Sequence, residues 1–149
     1  VIEAKVPYQV KIDSLARDLN ISEPTLYTYL EILDKTGIFK SIHKFSAKQT
    51  KKPAKIFFKN TNILYALSSD LHIPVEIGTV RETYFVNCFQ DIYYSDIGDF
   101  KVEKYIFEVG GKNKSFSQIK DIEDGFLALD IDYTSNNKKI PLWLFSFLK

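Results

Sequence analysis

The sequence predicts a mixed α/β protein, and three features support this fold class. Apolar residues recur at helical spacing near the N-terminus, short apolar runs alternate with polar turns in the middle, and the second half combines strands with helices. The chain has 149 residues, of which 45% are hydrophobic and 15% aromatic. This composition supports a packed core in one ordinary domain or two small ones.

Two short helices are predicted in the first quarter of the chain. Apolar residues follow helical spacing from Ile12 to Leu19, and Asn20 is a suitable stop. Ser22 is a good N-cap for a second helix, which ends near Gly37, a residue type common after helix C-termini. Two short helices joined in this way make a helix-turn-helix.

A basic hairpin is predicted after the two helices. Strand-like runs cover Ile38–Phe45 and Lys55–Phe58, and the polar segment Ser46–Ala54 lies between them. A short apolar helix, Asn62–Leu67, closes the unit. A helix-turn-helix followed by a hairpin is the order of elements in a winged helix, so we predict a winged helix-turn-helix domain over residues 1–69.

Residues 70–149 are predicted to form a second, small α/β domain. Ser68–Pro74 is expected to be a connector. Helices are expected at Thr79–Gln90 and Pro141–Leu148. Short strands are expected between these helices, at Ile92–Tyr94, Phe100–Val102, Tyr105–Val109 and Phe126–Asp130.

The charge distribution favours a polyanionic partner. From Lys35 to Ser69 the chain has eight lysines and no acidic residue, although the net charge is only +1. In a winged helix the second helix enters the major groove and the hairpin lies along the phosphates. The candidate DNA-binding residues are Thr25, Tyr27, Thr28, Lys44, Lys48, Lys51, Lys52 and Lys55. A protein-contact surface with solvated lysines is the alternative.

A two-residue turn at Glu103-Lys104 would make a hairpin in the second domain. Phe100 would then lie opposite Phe107 on an apolar face that points to the core. On the other face Asp99 would lie opposite Glu108. Directly opposed like charges destabilise a sheet, so this pair predicts a compensating cation.

Two kinds of cation could compensate Asp99 and Glu108. Mg²⁺ prefers oxygen ligands and often takes one or two carboxylates plus waters, which makes both residues candidate metal ligands. Such a metal would activate water for attack on a phosphoryl group. A neighbouring lysine, Lys101 or Lys112, is the alternative, and it would require no function.

Several segments together resemble a known family. Gly98-Asp99-Phe100, Phe107–Lys114 (FEVGGKNK) and Ile140–Phe145 (IPLWLF) resemble the C-terminal region of bacterial and archaeal AAA+-type ATPases. Ile21–Leu30 resembles the winged-helix turn of that family, and Gly78–Phe85 resembles its Gly…Glu helix. In that family a P-loop ATPase domain is followed by a winged helix and a PD-(D/E)XK nuclease-like domain.

The resemblance implies a nuclease-like site with one departure. Its acidic positions and trailing glutamine would be Glu82, Asp99, Glu108 and Gln118. The Glu-x-Lys pattern of the fold would require lysine at position 110, where this chain has Gly110. The substitute lysine would be Lys112, if the strand continues through the two glycines, or Lys101 on the same face.

We therefore expect a DNA-contacting and assembly module of an AAA+-type ATPase, with a nuclease-like domain that has degenerated. An active Mg²⁺-dependent nuclease is one alternative, and a protein–protein interaction module without nucleic-acid binding is another. No P-loop motif is present, so ATP would be bound only by an ATPase domain elsewhere in the protein. The expected partners are DNA, that ATPase domain and a further copy of the chain.

The compartment expected from the sequence is the cytoplasm. Cys88 is the single cysteine, which excludes an internal disulfide and suits a reducing compartment. No apolar run is long enough to span a bilayer, and no signal peptide is recognisable, so no membrane partner is expected.

Overall fold

The computed structural model describes residues 8–9, 12–46, 52–72 and 74–148 and shows a mixed α/β protein with two sheets. The N-terminal half contains β1 (Tyr8–Gln9), α1 (Ile12–Asp18), α2 (Glu23–Lys35), β2 (Phe39–Ile42), β3 (Lys55–Phe58) and α3 (Thr61–Leu71). The C-terminal half contains α4 (Ile77–Asn87), β4 (Tyr93–Tyr94), β5 (Phe100–Val102), β6 (Tyr105–Gly111), β7 (Gly125–Asp130), β8 (Lys139–Pro141) and a terminal 3₁₀ helix (Leu142–Leu148).

The two N-terminal helices begin and end where the sequence predicts. Asn20 has a left-handed φ of 53°, which turns the chain between α1 and α2. The hydroxyl of Ser22 accepts from the backbone N–H of Thr25 and so caps the start of α2. Gly37, just past the end of α2, has a φ of 80°, a conformation that glycine adopts without a steric penalty.

The N-terminal sheet has the order β1-β3-β2, with both pairs antiparallel. Strand β3 has the predicted bounds, while β2 is shorter than the predicted strand because it ends at Ile42. The sequence analysis missed β1. Strand β3 is central, and its residues Lys55 and Ile56 are paired on both sides, with β1 and with β2.

The C-terminal sheet has the order β4-β5-β6-β7-β8. Strands β4, β5 and β6 are antiparallel, whereas β6, β7 and β8 run parallel. Helix α4 and the terminal 3₁₀ helix cover one face, and the segment between β6 and β7 covers the other through Ile119 and Ile122. Strand β6 is therefore central and protected on both faces.

The predicted turn at Glu103-Lys104 is confirmed. Val102 pairs with Tyr105 and Phe100 pairs with Phe107, as the sequence predicts, but the ladder does not extend to the predicted pair of Asp99 and Glu108. Glu103, at the first position of the turn, has a left-handed φ of 52°. Phe100 and Phe107 are buried, so the apolar face of this hairpin does point to the core.

Several predicted boundaries were wrong. Helix α3 continues to Leu71, so most of the expected connector is helical. Strand β6 continues through both glycines to Gly111, because parallel pairing with β7 supports them. Lys139–Pro141 forms β8, and the expected last helix is a 3₁₀ helix that begins only at Leu142.

The two halves share one hydrophobic cluster. Phe85 of α4 packs against the rings of Phe100, Phe107 and Phe145. Phe57 of β3 joins this cluster, with its ring centroid 5.7 Å from that of Phe100. The predicted domain boundary at residue 69 falls within α3, and the cluster combines side chains from both sides of that boundary. The division into two domains stays a prediction.

Among the residues that the structure describes, no helix has the length and apolar character needed to cross a bilayer.

Replacing Phe57 with alanine should destabilise the whole protein. Phe57 is fully buried and belongs to a cluster formed by both halves, so Phe57→Ala should cost about 3–5 kcal/mol of unfolding free energy. Urea unfolding followed by far- and near-UV circular dichroism should remain one coincident transition. Tyr133→Ala, at a side chain that is 86% exposed, should change stability by less than about 0.5 kcal/mol. Two separate transitions in the Phe57 variant would contradict a shared core.

Candidate functional site

The centre of the candidate site is the carboxylate of Glu108. It lies on the central strand β6, beside Leu127 of β7, and is only 1% exposed. A buried carboxylate loses its hydration, which is costly unless hydrogen bonds and opposite charge replace the water. The groups around Glu108 supply both.

Lys114 supplies the positive charge. Its Nζ lies 2.6 Å from Oε1 of Glu108. Lys114 follows β6 in a turn in which its backbone N–H donates to the carbonyl of Gly111. Gln118, further along the same segment, lies against the same carboxylate. When its amide is oriented to satisfy hydrogen bonding, the nitrogen donates to both oxygens, at 2.7 Å for Oε2.

Gly110 makes room for Lys114. A Cβ atom at position 110 would lie 2.7 Å from both Cβ and Cγ of Lys114, closer than real contacts allow. The aliphatic stem of Lys114 therefore occupies the space above Gly110 that a side chain on the strand would fill. Gly110 has the same strand parity as Glu108, so this is the face on which the sequence analysis expected a lysine.

Asp99 lies at the start of the β5–β6 hairpin. Its backbone N–H donates to the carbonyl of Phe107, and its carboxylate accepts from the backbone N–H of Val109 at 2.8 Å. Its charge is close enough to raise the pKa of Glu108. One oxygen of Asp99 is thus held by the strand that carries Glu108.

Glu82 of α4 adds a third carboxylate. Its Oε2 lies 3.1 Å from Nζ of Lys55, and the two side chains are only 21% and 19% exposed. Lys55 belongs to β3, so the N-terminal half reaches into the C-terminal site. We call the set of Lys55, Glu82, Asp99, Glu108, Lys114 and Gln118 the acidic cluster.

Burial is the main cause of the pKa shifts in the acidic cluster. It raises the pKa of Glu108, with a further increase from Asp99, while the hydrogen bond and charge of Lys114 act in the opposite direction. Burial likewise raises the pKa of Glu82, and Lys55 opposes the shift. For Lys114 burial lowers the pKa, but Glu108 and the other carboxylates outweigh it, so the pKa is raised.

The cluster contains hard oxygen donors, yet lysines now compensate their charge. Within the described part of the chain, no group of three or more His, Cys, Asp or Glu side chains could hold a metal ion. Mg²⁺ often takes one or two carboxylates and completes its shell with water, so Asp99 and Glu108 would be enough in number and in donor type. A metal there would have to displace the ammonium of Lys114 from Glu108.

The structure brings together most of the residues that the resemblance implied. Glu82, Asp99, Glu108 and Gln118 all belong to the acidic cluster. The two lysines that were expected to complete it lie elsewhere. Lys112 is exposed in the turn after β6, and the Nζ of Lys101 lies 3.9 Å above the ring of Phe45.

The sequence analysis missed the role of Lys114 and the position of Lys55. Lys114 lies six residues after Glu108 and outside the strand, so strand parity did not identify it. The two adjacent glycines were the available signal, because glycine in a central strand often marks a close approach of other atoms. Lys55 contacts Glu82 across 27 positions, a pairing that local sequence patterns do not reveal.

The predicted DNA-binding residues of α2 also take part in local contacts. The hydroxyl of Thr25 is hydrogen-bonded to that of the N-cap residue Ser22, and the hydroxyl of Thr28 donates to the carbonyl of Pro24. Tyr27 is partly buried against the N-terminal core. Their assignment to DNA stays a prediction.

The predicted DNA-binding lysines have different positions in the fold. Lys44 forms an exposed ion pair with Asp96, 2.8 Å apart, and Lys55 lies in the acidic cluster. Lys52 is exposed. Lys48 and Lys51 lie outside the described residues.

Comparisons with known proteins bear on the N-terminal half alone. Residues 4–72 match the model of a domain of unknown function, DUF8612. No curated protein and no solved structure matches the chain.

The pKa of Glu108 should respond directly to Lys114. In the unmodified protein the pKa should lie above the ordinary value of 4.5. Lys114→Met removes a hydrogen bond and a charge that both lower the pKa, so the pKa should rise further. Carboxyl ¹³C chemical shifts followed against pH would measure it. Lys104→Met removes an exposed ion pair with Asp124 and should leave Glu108 unaffected. An unchanged titration in Lys114→Met would contradict the pairing.

Gly110→Ala should destabilise the protein. The new methyl group would collide with the stem of Lys114 next to the backbone, where the side chain has little freedom. Overpacking of this kind typically costs about 1–3 kcal/mol, measurable by urea unfolding. Gly78→Ala is the matched control, because nothing lies within 4 Å of its added Cβ. Equal stability of the two variants would show that the space above Gly110 is not filled.

Proposed function

We propose that this chain processes nucleic acid and that its acidic cluster hydrolyses phosphodiester bonds with the help of Mg²⁺. The observation that carries the proposal is the position of Lys114, whose stem fills the space above Gly110 and whose ammonium reaches Glu108. This position supports a PD-(D/E)XK-like site in which the lysine comes from a later position in the chain. Gly110 was the reason to expect a degenerate site, and Lys114 removes that reason.

Four residues of the acidic cluster would have distinct roles. Asp99 and Glu108 would hold Mg²⁺, which when bound supplies a water of lowered pKa and stabilises charge on a phosphoryl oxygen. Lys114 would stabilise the negative charge that develops during attack. Gln118 donates to Glu108 and so fixes the orientation of its carboxylate.

The N-terminal half would contact the nucleic acid. The order α1, α2, β2, β3 supports a winged helix, in which α2 and the β2–β3 connection face the duplex. The lysine-rich segment from residue 48 to residue 52 is the part best suited to phosphates. DNA is therefore the proposed partner. The proposed ATPase domain and a further copy of the chain rest on the family resemblance alone.

A non-enzymatic assembly module is the second candidate, and one observation favours it. Every carboxylate of the acidic cluster already has a partner: Glu108 has Lys114, Glu82 has Lys55, and Asp99 has the Val109 N–H. Such a cluster can serve stability and specificity without any reaction. The two candidates differ in whether a metal can displace a lysine.

Cleavage of labelled DNA in Mg²⁺ or Mn²⁺ tests the proposal. The unmodified protein should cleave, Glu108→Gln should abolish cleavage, and Lys114→Met should lower kcat by about 10²–10³-fold because one charge-stabilising donor is lost. Exchanging the two residues, as Gly110→Lys with Lys114→Gly, should restore a large part of the activity. Glycine at position 114 is needed because the Cβ of Lys114 would collide with a side chain at position 110.

Lys120→Met is the control for these variants. Lys120 belongs to the same segment, but its side chain is exposed and forms its ion pair with Asp121, so kcat should not change. Absence of metal-dependent cleavage, or cleavage that survives Glu108→Gln, would overturn the nuclease proposal and leave the assembly module.

A further inference from the structure

One face of the C-terminal sheet contains a groove that the covering helices leave open. Helix α4 ends at Asn87, and the terminal 3₁₀ helix packs on the same face. Between these two helices and strands β5 to β8 lies a groove of about 410 Å³, a volume typical of sites for small molecules. The groove is on the face that carries Phe107, so Glu108, the next residue of β6, points to the other face of the sheet.

Aromatic rings form most of the groove. Among the described residues, nine line it, and five of these are aromatic: Phe89, Tyr105, Phe107, Phe126 and Phe145. The rings are continuous, since the ring centroid of Phe126 lies 5.7 Å from that of Tyr105 and 6.0 Å from that of Phe107. Phe107 and Phe145 are buried, whereas the other three rings are partly exposed. The faces of aromatic rings carry partial negative charge and attract cations.

A carboxylate lies at the edge of these rings. Among the described residues that line the groove, only Glu103 is charged. It occupies the first position of the tight turn between β5 and β6, and its side chain is exposed. The neighbouring Lys104 pairs with Asp124, 3.3 Å away, and no described residue forms an ion pair with Glu103. Aromatic walls and an available carboxylate together are complementary to a positive charge.

Two lysines show that the rings of the groove attract an ammonium. The Nζ of Lys138 lies 4.7 Å from the ring centroid of Phe126, and that of Lys104 lies 5.1 Å from the ring centroid of Tyr105. Neither lysine lines the groove, and Lys138 also donates to the carbonyl of Glu123. Their contacts therefore demonstrate the preference of the rings and leave the groove accessible to a ligand.

We propose that this groove binds a small organic cation, in which an alkylated ammonium is joined to an apolar body. The ammonium would lie against the aromatic walls beside Glu103, and the apolar body would contact Phe107 and Phe145. An alkylated ammonium is less strongly hydrated than the ammonium of lysine, so it loses less hydration when it enters an apolar groove. This inference is independent of the proposed function, because it uses no residue of the acidic cluster.

Titration of the chain with three probes of similar shape tests this inference. Phenyltrimethylammonium is the cation, tert-butylbenzene is its neutral analogue, and benzenesulfonate is its anionic analogue. Backbone ¹H–¹⁵N chemical shifts measure the affinity and locate the site. Phenyltrimethylammonium should bind about fivefold more tightly than either analogue, because only the cation gains from the rings and the carboxylate. The largest shifts should occur in the turn from Val102 to Tyr105.

Two variants separate the contribution of the carboxylate from that of the rings. Glu103→Gln should weaken binding of the cation about two- to fivefold, as expected for an exposed charge, and should not change binding of the neutral analogue. Phe126→Leu removes one aromatic face and should weaken binding of the cation about three- to tenfold, with a smaller effect on the neutral analogue. Circular dichroism checks that both variants are folded.

Glu76→Gln is the matched control. It makes the same change in net charge as Glu103→Gln, but Glu76 is exposed at the start of α4, whereas Phe89 of the groove follows the end of that helix. Its side chain makes no capping hydrogen bond, so the affinity for the cation should not change.

Each contrary outcome would overturn the inference in a different way. Absence of saturable shifts with all three probes would show that the groove is not a binding site for such molecules. Tighter binding of benzenesulfonate would identify a site for apolar anions. Equal affinity for the cation and tert-butylbenzene, unchanged in Glu103→Gln, would identify a surface that selects apolar groups alone. Equal weakening in Glu76→Gln and Glu103→Gln would show that overall charge is the cause.

Discussion

The fold depends on how one buried carboxylate is compensated. Glu108 lies on the central strand of the larger sheet and is almost completely shielded from water. The free energy of an uncompensated charge there would be several kcal/mol, a large part of the stability of a domain of this size. The protein meets this requirement with a lysine from the following turn, and glycine at position 110 leaves the space that the lysine needs. The turn after β6, Gly110 and the candidate chemistry are therefore parts of one arrangement.

The same principle of compensation joins the two halves of the chain. The stretch from Lys35 to Ser69 has eight lysines and no acidic residue, whereas the C-terminal half has an excess of acidic residues, and the fold brings the two together. Lys40 donates to carbonyls at the end of α4, Lys44 pairs with Asp96, and Lys55 pairs with Glu82. The sequence suggested that this positive charge faces a polyanionic partner. Part of it is instead paired within the molecule.

Local patterns predicted much of the fold, and long-range contacts account for what they missed. The cap at Ser22, strand β3 and the turn at Glu103-Lys104 depend on nearest neighbours, and all three were predicted correctly. Strand β6 runs past its predicted end because β7, which is distant in sequence, pairs with Gly110 and Gly111. Spacing and resemblance selected the site's carboxylates, but its lysines depend on which segments approach in three dimensions. The contact of Lys114 over Gly110 had the two adjacent glycines as its one local signal, whereas the contact of Lys55 with Glu82 had none.

A crystal of the protein soaked in Mn²⁺ and measured at the manganese absorption edge tests the central claim most directly. The account predicts an anomalous peak bound to carboxylate oxygens of Asp99 and Glu108, with the ammonium of Lys114 displaced from Glu108 but its stem still above Gly110. No peak at these carboxylates, with Lys114 still within hydrogen-bonding distance of Glu108, would contradict the account and identify the cluster as a structural ion pair.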